Sequence, residues 1–134
     1  MNKKAIIGLV GGVAVLVAVI LFFIFNSSPR DALIGTWIDY EDDMLIEFHD
    51  DGTLTAYEYY GDGLYTNKCY GCSGEWNLSD DGTILTMKNY DTGATAIGEC
   101  SMYDNELCVY FNNNDFETCI ERLPRYEFDN MTNW

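Results

Sequence analysis

Two hydrophobic patterns divide the chain. From position 5 to position 25 every residue is apolar or glycine, and the run ends in the bulky stretch Leu21-Phe22-Phe23-Ile24-Phe25. A helix of that length reaches roughly 30 Å, the thickness of a bilayer's hydrocarbon core. A cleaved export signal has a shorter apolar region, about 7–15 residues, followed by small residues. The run therefore reads as a retained transmembrane anchor; cleavage near Asn26-Ser27-Ser28 is the poorly specified alternative. Lys3 and Lys4 precede the run and carboxylates follow it, so the positive-inside tendency keeps residues 1–4 in the cytoplasm and exports the rest. Gly8 and Gly12 form a G-x-x-x-G pair, a weak sign of helix pairing because glycine is common in membrane spans.

After a short polar linker, residues 26–32, apolar positions recur with a period near two and no long 3.6-residue stripe appears. Eight strand-like runs follow, at 35–40, 44–48, 53–60, 73–78, 84–88, 94–102, 106–111 and 116–123. Short turns join them, which predicts an all-β, up-and-down antiparallel barrel of about eight strands across residues 33–123. The turns His49-Asp50-Asp51-Gly52-Thr53 and Ser79-Asp80-Asp81-Gly82-Thr83 place glycine where φ is expected to be positive. Asp104-Asn105 and the turn at 112–115 suit left-handed backbone. Alternation sends Trp37, Met44, Ile46, Phe48, Leu54, Trp76, Leu78, Leu85, Met87, Leu107, Val109, Phe111, Phe116 and Ile120 inward. Residues 61–72 lack alternation and read as the longest irregular loop; residues 124–134 read as a tail, frayed or docked through Phe128 and Trp134.

Composition narrows the partners. The formal net charge is −15, from 22 acidic and seven basic residues. Such a field repels nucleic acid and anionic headgroups, which need clustered Lys and Arg. The membrane contact expected is the single-pass anchor. Ten tyrosines and three tryptophans argue against disorder. Tyr57, Tyr59, Tyr60, Tyr65 and Tyr70 cluster in sequence. Tyrosine joins a rigid apolar body to a polar tip, which suits contact with a protein partner or a sugar; equally, these rings could cover the barrel's own open end.

Gly35-Thr36-Trp37 opening the first strand, the two D-D-G turns and the late Cys119-Ile120-Glu121-Arg122-Leu123 together resemble the lipocalin-like (calycin-type) small barrels of membrane-anchored prokaryotic envelope proteins. The resemblance covers roughly residues 33–123. It implies that Trp37, preceded by Gly35, closes one end of the barrel and that Arg122 packs over it. It also implies a small apolar ligand inside. The chain is shorter than a ligand-carrying lipocalin and shows no long helix after the last strand. The leading expectation is therefore a non-catalytic interaction domain at the cell envelope, with the apolar-ligand carrier as alternative and, behind it, a metal or redox site using Cys69 and Cys72.

All five cysteines follow the anchor, on the side where an oxidising exterior favours disulfides, and an odd count leaves one over. The turn at 112–115 sets Cys108 opposite Cys119, the best single pairing. Cys100 falls opposite Cys108 if the turn at Asp104 has three residues, and faces the core if it has two. Cys69 and Cys72 form a C-x-x-C, read as a loop bridge or a reduced pair. A zinc site would need a second such pair or histidines, and His49, at a hairpin tip, is the only histidine. No helix is predicted to open at Cys69, as a redox C-x-x-C would require, and no D-x-D-x-D-G loop marks calcium. No catalytic group, metal or cofactor is expected.

Overall fold

The computed structural model describes residues 28–111 and 116–133. The expected anchor at 5–25, with Lys3, Lys4, Gly8 and Gly12, lies outside the described residues, as do the turn at 112–115 and Trp134. Among the described residues no helix is long and apolar enough to cross a membrane.

Among the described residues nine strands form, and eight of them close. They are β1 (Gly35–Asp39), β2 (Met44–Phe48), β3 (Thr53–Gly61), β4 (Leu64–Thr66), β5 (Ser73–Leu78), β6 (Ile84–Asn89), β7 (Thr95–Tyr103), β8 (Glu106–Phe111) and β9 (Phe116–Arg122), flanked by helices α1 (Pro29–Leu33) and α2 (Arg125–Thr132). Every pairing is antiparallel. The ring runs β1-β2-β3-β5-β6-β7-β8-β9, and β9 returns to β1 with Trp37 opposite Arg122 and Ile38 opposite Glu121. Closure leaves no exposed edge in the ring. The ninth strand, β4, pairs with the far end of β3 outside the ring; residues 61–72 are thus not wholly irregular, because three of them make a hairpin too short for alternation to reveal.

The turns form as their residues require. Gly52 and Gly82 have φ of 87° and 77°. The Asp51 and Asp81 carboxylates each accept from the backbone N–H and the hydroxyl of the threonine two residues on. At Asp81 the Ser79 hydroxyl donates as well, and this bond first, then those from Thr83, holds the carboxyl at about 2; the Thr53 bonds hold Asp51 below the ordinary aspartate range. Asp104-Asn105 is a two-residue turn, since Tyr103 faces Glu106. That register sets Cys100 opposite Val109, half-buried against the core and unbridged.

Inside the ring, Trp37, Phe48, Trp76, Leu78, Leu85, Leu107, Val109 and Ile120 are buried together, with Ile46, Leu54, Met87 and Phe111 against them. Space is tight: a Cβ on Gly98 would stand 2.5 Å from Val109 Cγ1. Two expected core residues are not there. Phe116 is 47% exposed where β9 begins, and Met44 leaves the acidic turn outside both apolar clusters. Both occupy strand ends that overshoot the packed interior.

One end of the barrel is plugged by the segment expected to be linker. Ser28 caps α1 by accepting from Asp31 N–H, and Pro29 starts the helix. Leu33 is fully buried in the core, and its carbonyl accepts from Trp37 Nε1 at 2.9 Å. The expected tail is ordered too. Helix α2 lies on the outer side of β1 and β2, where Ile38, Leu45, Tyr65, Leu123 and Phe128 form a second core, with Tyr57 and Met131 packed against it.

Candidate binding groove

The five sequence-clustered tyrosines separate into three roles. Tyr57 points away from the barrel interior and meets Phe128 of α2 edge to face, ring centroids 5.1 Å apart. Tyr65, on β4, is buried, and its hydroxyl donates to Asp43 Oδ1 from the acidic β1–β2 turn. Burial first, then the Asp43 carboxylate, pushes the Tyr65 phenol up to about 12. Tyr59 meets Tyr65 edge to face, ring centroids 5.4 Å apart. Tyr57 and Tyr65 therefore pack into the outer core.

Between the β3–β4 hairpin and the C-terminal end of α2 these rings leave a groove of about 370 Å³, walled by Tyr57, Tyr60 and Tyr65 and edged by Glu58 and Lys68. Tyr60 is 68% exposed. Flat aromatic walls, phenolic hydroxyls and one charge of each sign suit a ligand with apolar faces and polar edges. Tyr70 does not join the groove. It lies on the bridged Cys69–Cys72 loop, where its hydroxyl donates to the Asp91 carbonyl. Gly71 N–H donates to Asp91 Oδ2 at 2.6 Å, and Asn89 Nδ2 donates to the Gly71 carbonyl. The loop is thus fastened to the β6–β7 turn, at the rim of an open depression of about 450 Å³ lined by Leu54, Ala56, Cys72, Met87 and Ala96.

The opposite end carries the residues implied by the resemblance. The Arg122 guanidinium lies 4.3 Å from the Trp37 ring centroid. It donates to the Ala32 and Ile34 carbonyls, and burial lowers its pKa. Gly35, with φ of 132°, leaves room for it: a Cβ there would stand 3.1 Å from Arg122 Nη1. Sequence reasoning missed a second such pair. Arg30 lies 4.9 Å over Trp76 and bonds Asp50, and nothing in the spacing of residues 30, 50 and 76 announces it. The predicted Cys108–Cys119 pair is bridged. His49 is half-buried, with Nε2 2.9 Å from Thr55 Oγ1 and Nδ1 3.9 Å from Glu47.

Set against protein-family models, curated proteins and solved structures, the chain matches none of them. The functional reading rests on its own residues.

Proposed function

We propose that this chain is a single-pass membrane protein that displays a lipocalin-like barrel outside the cytoplasm and works as a non-catalytic binding module at the cell envelope. The observation that carries the reading is the tyrosine-walled groove built beside, not inside, a barrel packed with side chains. The topology supports it. The N-terminal segment enters at the end plugged by Leu33, next to Trp37, while the β3–β4 hairpin and the end of α2 lie toward the other end. Three residues separate position 25 from Pro29 and span at most about 10 Å. In the anchored protein the plugged end faces the bilayer and the groove faces away from it.

The ligand class is an envelope sugar or a partner's peptide, bound by stacking on Tyr60 and Tyr57 with its polar edge between Glu58 and Lys68. The second reading, a carrier of a small apolar molecule, has one observation in its favour: the apolar depression at the Met87 end. Amide chemical-shift perturbation on the full chain in detergent separates the two. Soluble glycan fragments and short peptides should shift residues 57–68, and Tyr60→Ala should abolish the response. A fatty acid shifting Met87 and Ala96 instead establishes the carrier reading. No shift at 57–68 with any glycan or peptide defeats the groove.

A further inference from the structure

The outer wall of the barrel at β8 and β9 carries the Cys108–Cys119 bridge at directly opposed positions. A carboxylate accompanies each sulfur. Glu106 Oε1 lies 3.4 Å from Cys108 Sγ, and Glu117 Oε1 lies 3.6 Å from Cys119 Sγ. One ligand atom from each of Glu106, Cys108 and Cys119 falls within 4.8 Å of the other two. A depression of about 230 Å³ opens over the same wall, lined by Glu99, Ser101, Cys108, Tyr110 and Glu117. Glu106 also faces Glu121 directly across the ladder, and like charges so placed weaken a sheet. Among the described residues, no lysine or arginine forms an ion pair with Glu99, Glu106, Glu117 or Glu121.

We propose that reduction of the Cys108–Cys119 bridge turns this wall into a binding site for a thiophilic divalent cation such as zinc, held by Cys108, Cys119 and Glu106 with Glu117 as fourth ligand. The donor set fits the ion. Zinc takes four ligands in a tetrahedron, thiolates at about 2.3 Å and carboxylate oxygens at about 2.0–2.2 Å. Two thiolates on one such ion stand on the order of 3.8 Å apart, from the same bond lengths, a separation that opposed cysteines on paired strands reach by side-chain rotation. Chelating oxygen alone would suit calcium or magnesium; paired thiolates select zinc-like ions. The local negative field concentrates cations, and the bound ion relieves the repulsion between Glu106 and Glu121.

The chemistry balances. An external dithiol gives two electrons and two protons to the sulfur–sulfur bond and closes to its own disulfide, leaving two thiols. The cation then displaces both thiol protons. An external disulfide that takes two electrons from the zinc-bound thiolates and two protons from solvent, becoming a dithiol, reforms the bridge and ejects the ion, so the wall holds either a bridge or a metal. The Cys69–Cys72 pair gathers no comparable ligand cluster among the described residues. The proposed metal wall is separate from the tyrosine groove and does not depend on it.

The test uses the full chain in detergent, carrying Cys69→Ser and Cys72→Ser so that Cys108 and Cys119 are the only pair. Cobalt(II) is the probe, because thiolate ligation gives it a near-ultraviolet charge-transfer band and tetrahedral geometry gives it visible bands. After reduction with a phosphine and desalting under argon, one cobalt ion should bind per chain and be displaced by zinc; before reduction none should bind. Glu106→Gln should weaken binding by about tenfold or more. Cys119→Ser should remove the charge-transfer band although Cys100 remains. Bands absent after reduction, or present and indifferent to both substitutions, overturn the proposal. Should Cys119→Ser lose the β-sheet circular dichroism, Glu106→Gln decides, since it keeps both thiols.

Discussion

Arg122 is held by three partners that lie together in one short stretch far from it in sequence: the Trp37 ring face and the carbonyls of Ala32 and Ile34. A guanidinium satisfies all three at once, because it is flat and carries a fork of donors. Cation–π contact is worth about 0.5–2 kcal/mol and charged hydrogen bonds about 1.5–3 kcal/mol; the exposed part of the side chain favours the low end. Arg122→Ala should therefore lower unfolding free energy by about 2 kcal/mol in urea. Arg122→Lys should recover less than half, since an ammonium neither stacks nor forks; full recovery by lysine would show that charge alone matters. Tyr65 invites a different measurement. Its folded-state phenol is raised from 10 to about 12, so the folded form keeps a proton that the unfolded chain gives up first. The associated stability is complete below pH 10 and is lost as pH rises from 10 through about 12. In thermal melts across that window Tyr65→Phe should flatten the alkaline decline, and an unchanged slope would assign it to other tyrosines.

Among the elements, β1 and β2 show how a covered outer face writes itself into sequence. Ile38 and Leu45 occupy outward positions of a strand pair yet are apolar, and both are buried, Leu45 completely. Their cover is α2, anchored by Phe128, with Arg125 paired to Glu47 and Asp129. Phe128→Ala should cost about 3–5 kcal/mol and expose the Ile38–Leu45 face, read as a lower denaturation midpoint together with new binding of an apolar dye. A midpoint within error of the parent would mean that the helix merely rests there. The ring strands were legible because their burial has period two: β5 alternates at every residue. Helix α2 was not, because eight residues with no side-chain cap and an apolar pair at Phe128 and Met131 give too weak a stripe. The groove was half legible. Tyrosine clustering marked the stretch that lines the groove, but which rings line it depends on α2, on β4 and on Asp43, a carboxylate lost to view among its acidic neighbours. The Cys108–Cys119 bridge was readable because a hairpin fixes register locally; the Arg30–Trp76 contact joins three separate elements and leaves no local trace.

At the scale of the whole molecule, charge decides how stability responds to solvent. The chain has 22 carboxylates against seven basic side chains, and among the described residues three ion pairs join arginine to carboxylate. Most carboxylates thus repel one another across the folded surface, and compaction works against that field. Two opposing effects follow on acidification. Partial protonation relieves the repulsion. Against it, Asp51 and Asp81 have folded pKa values below the ordinary 3.8, Asp51 through its bonds to Thr53 and Asp81, at about 2, through its bonds to Ser79 and then Thr83. The sign for these two is the depressed-carboxylate case: their contribution is present above the unfolded pKa of 3.8 and is lost as pH falls through about 2. The melting temperature should therefore rise from pH 7 to about 5, where repulsion dominates, and fall below about 4, where the turn carboxylates lose their donors. Added sodium chloride should raise it at pH 7 and matter little at pH 4, because screening acts on the charge that protonation removes. Asp81→Asn keeps an acceptor for Thr83 but cannot titrate, so it should shallow the acid limb while leaving the rise from pH 7 intact. A melting temperature that declines steadily from pH 7 downward, indifferent to salt, would place the governing charges in specific pairs instead of in the field of the whole surface.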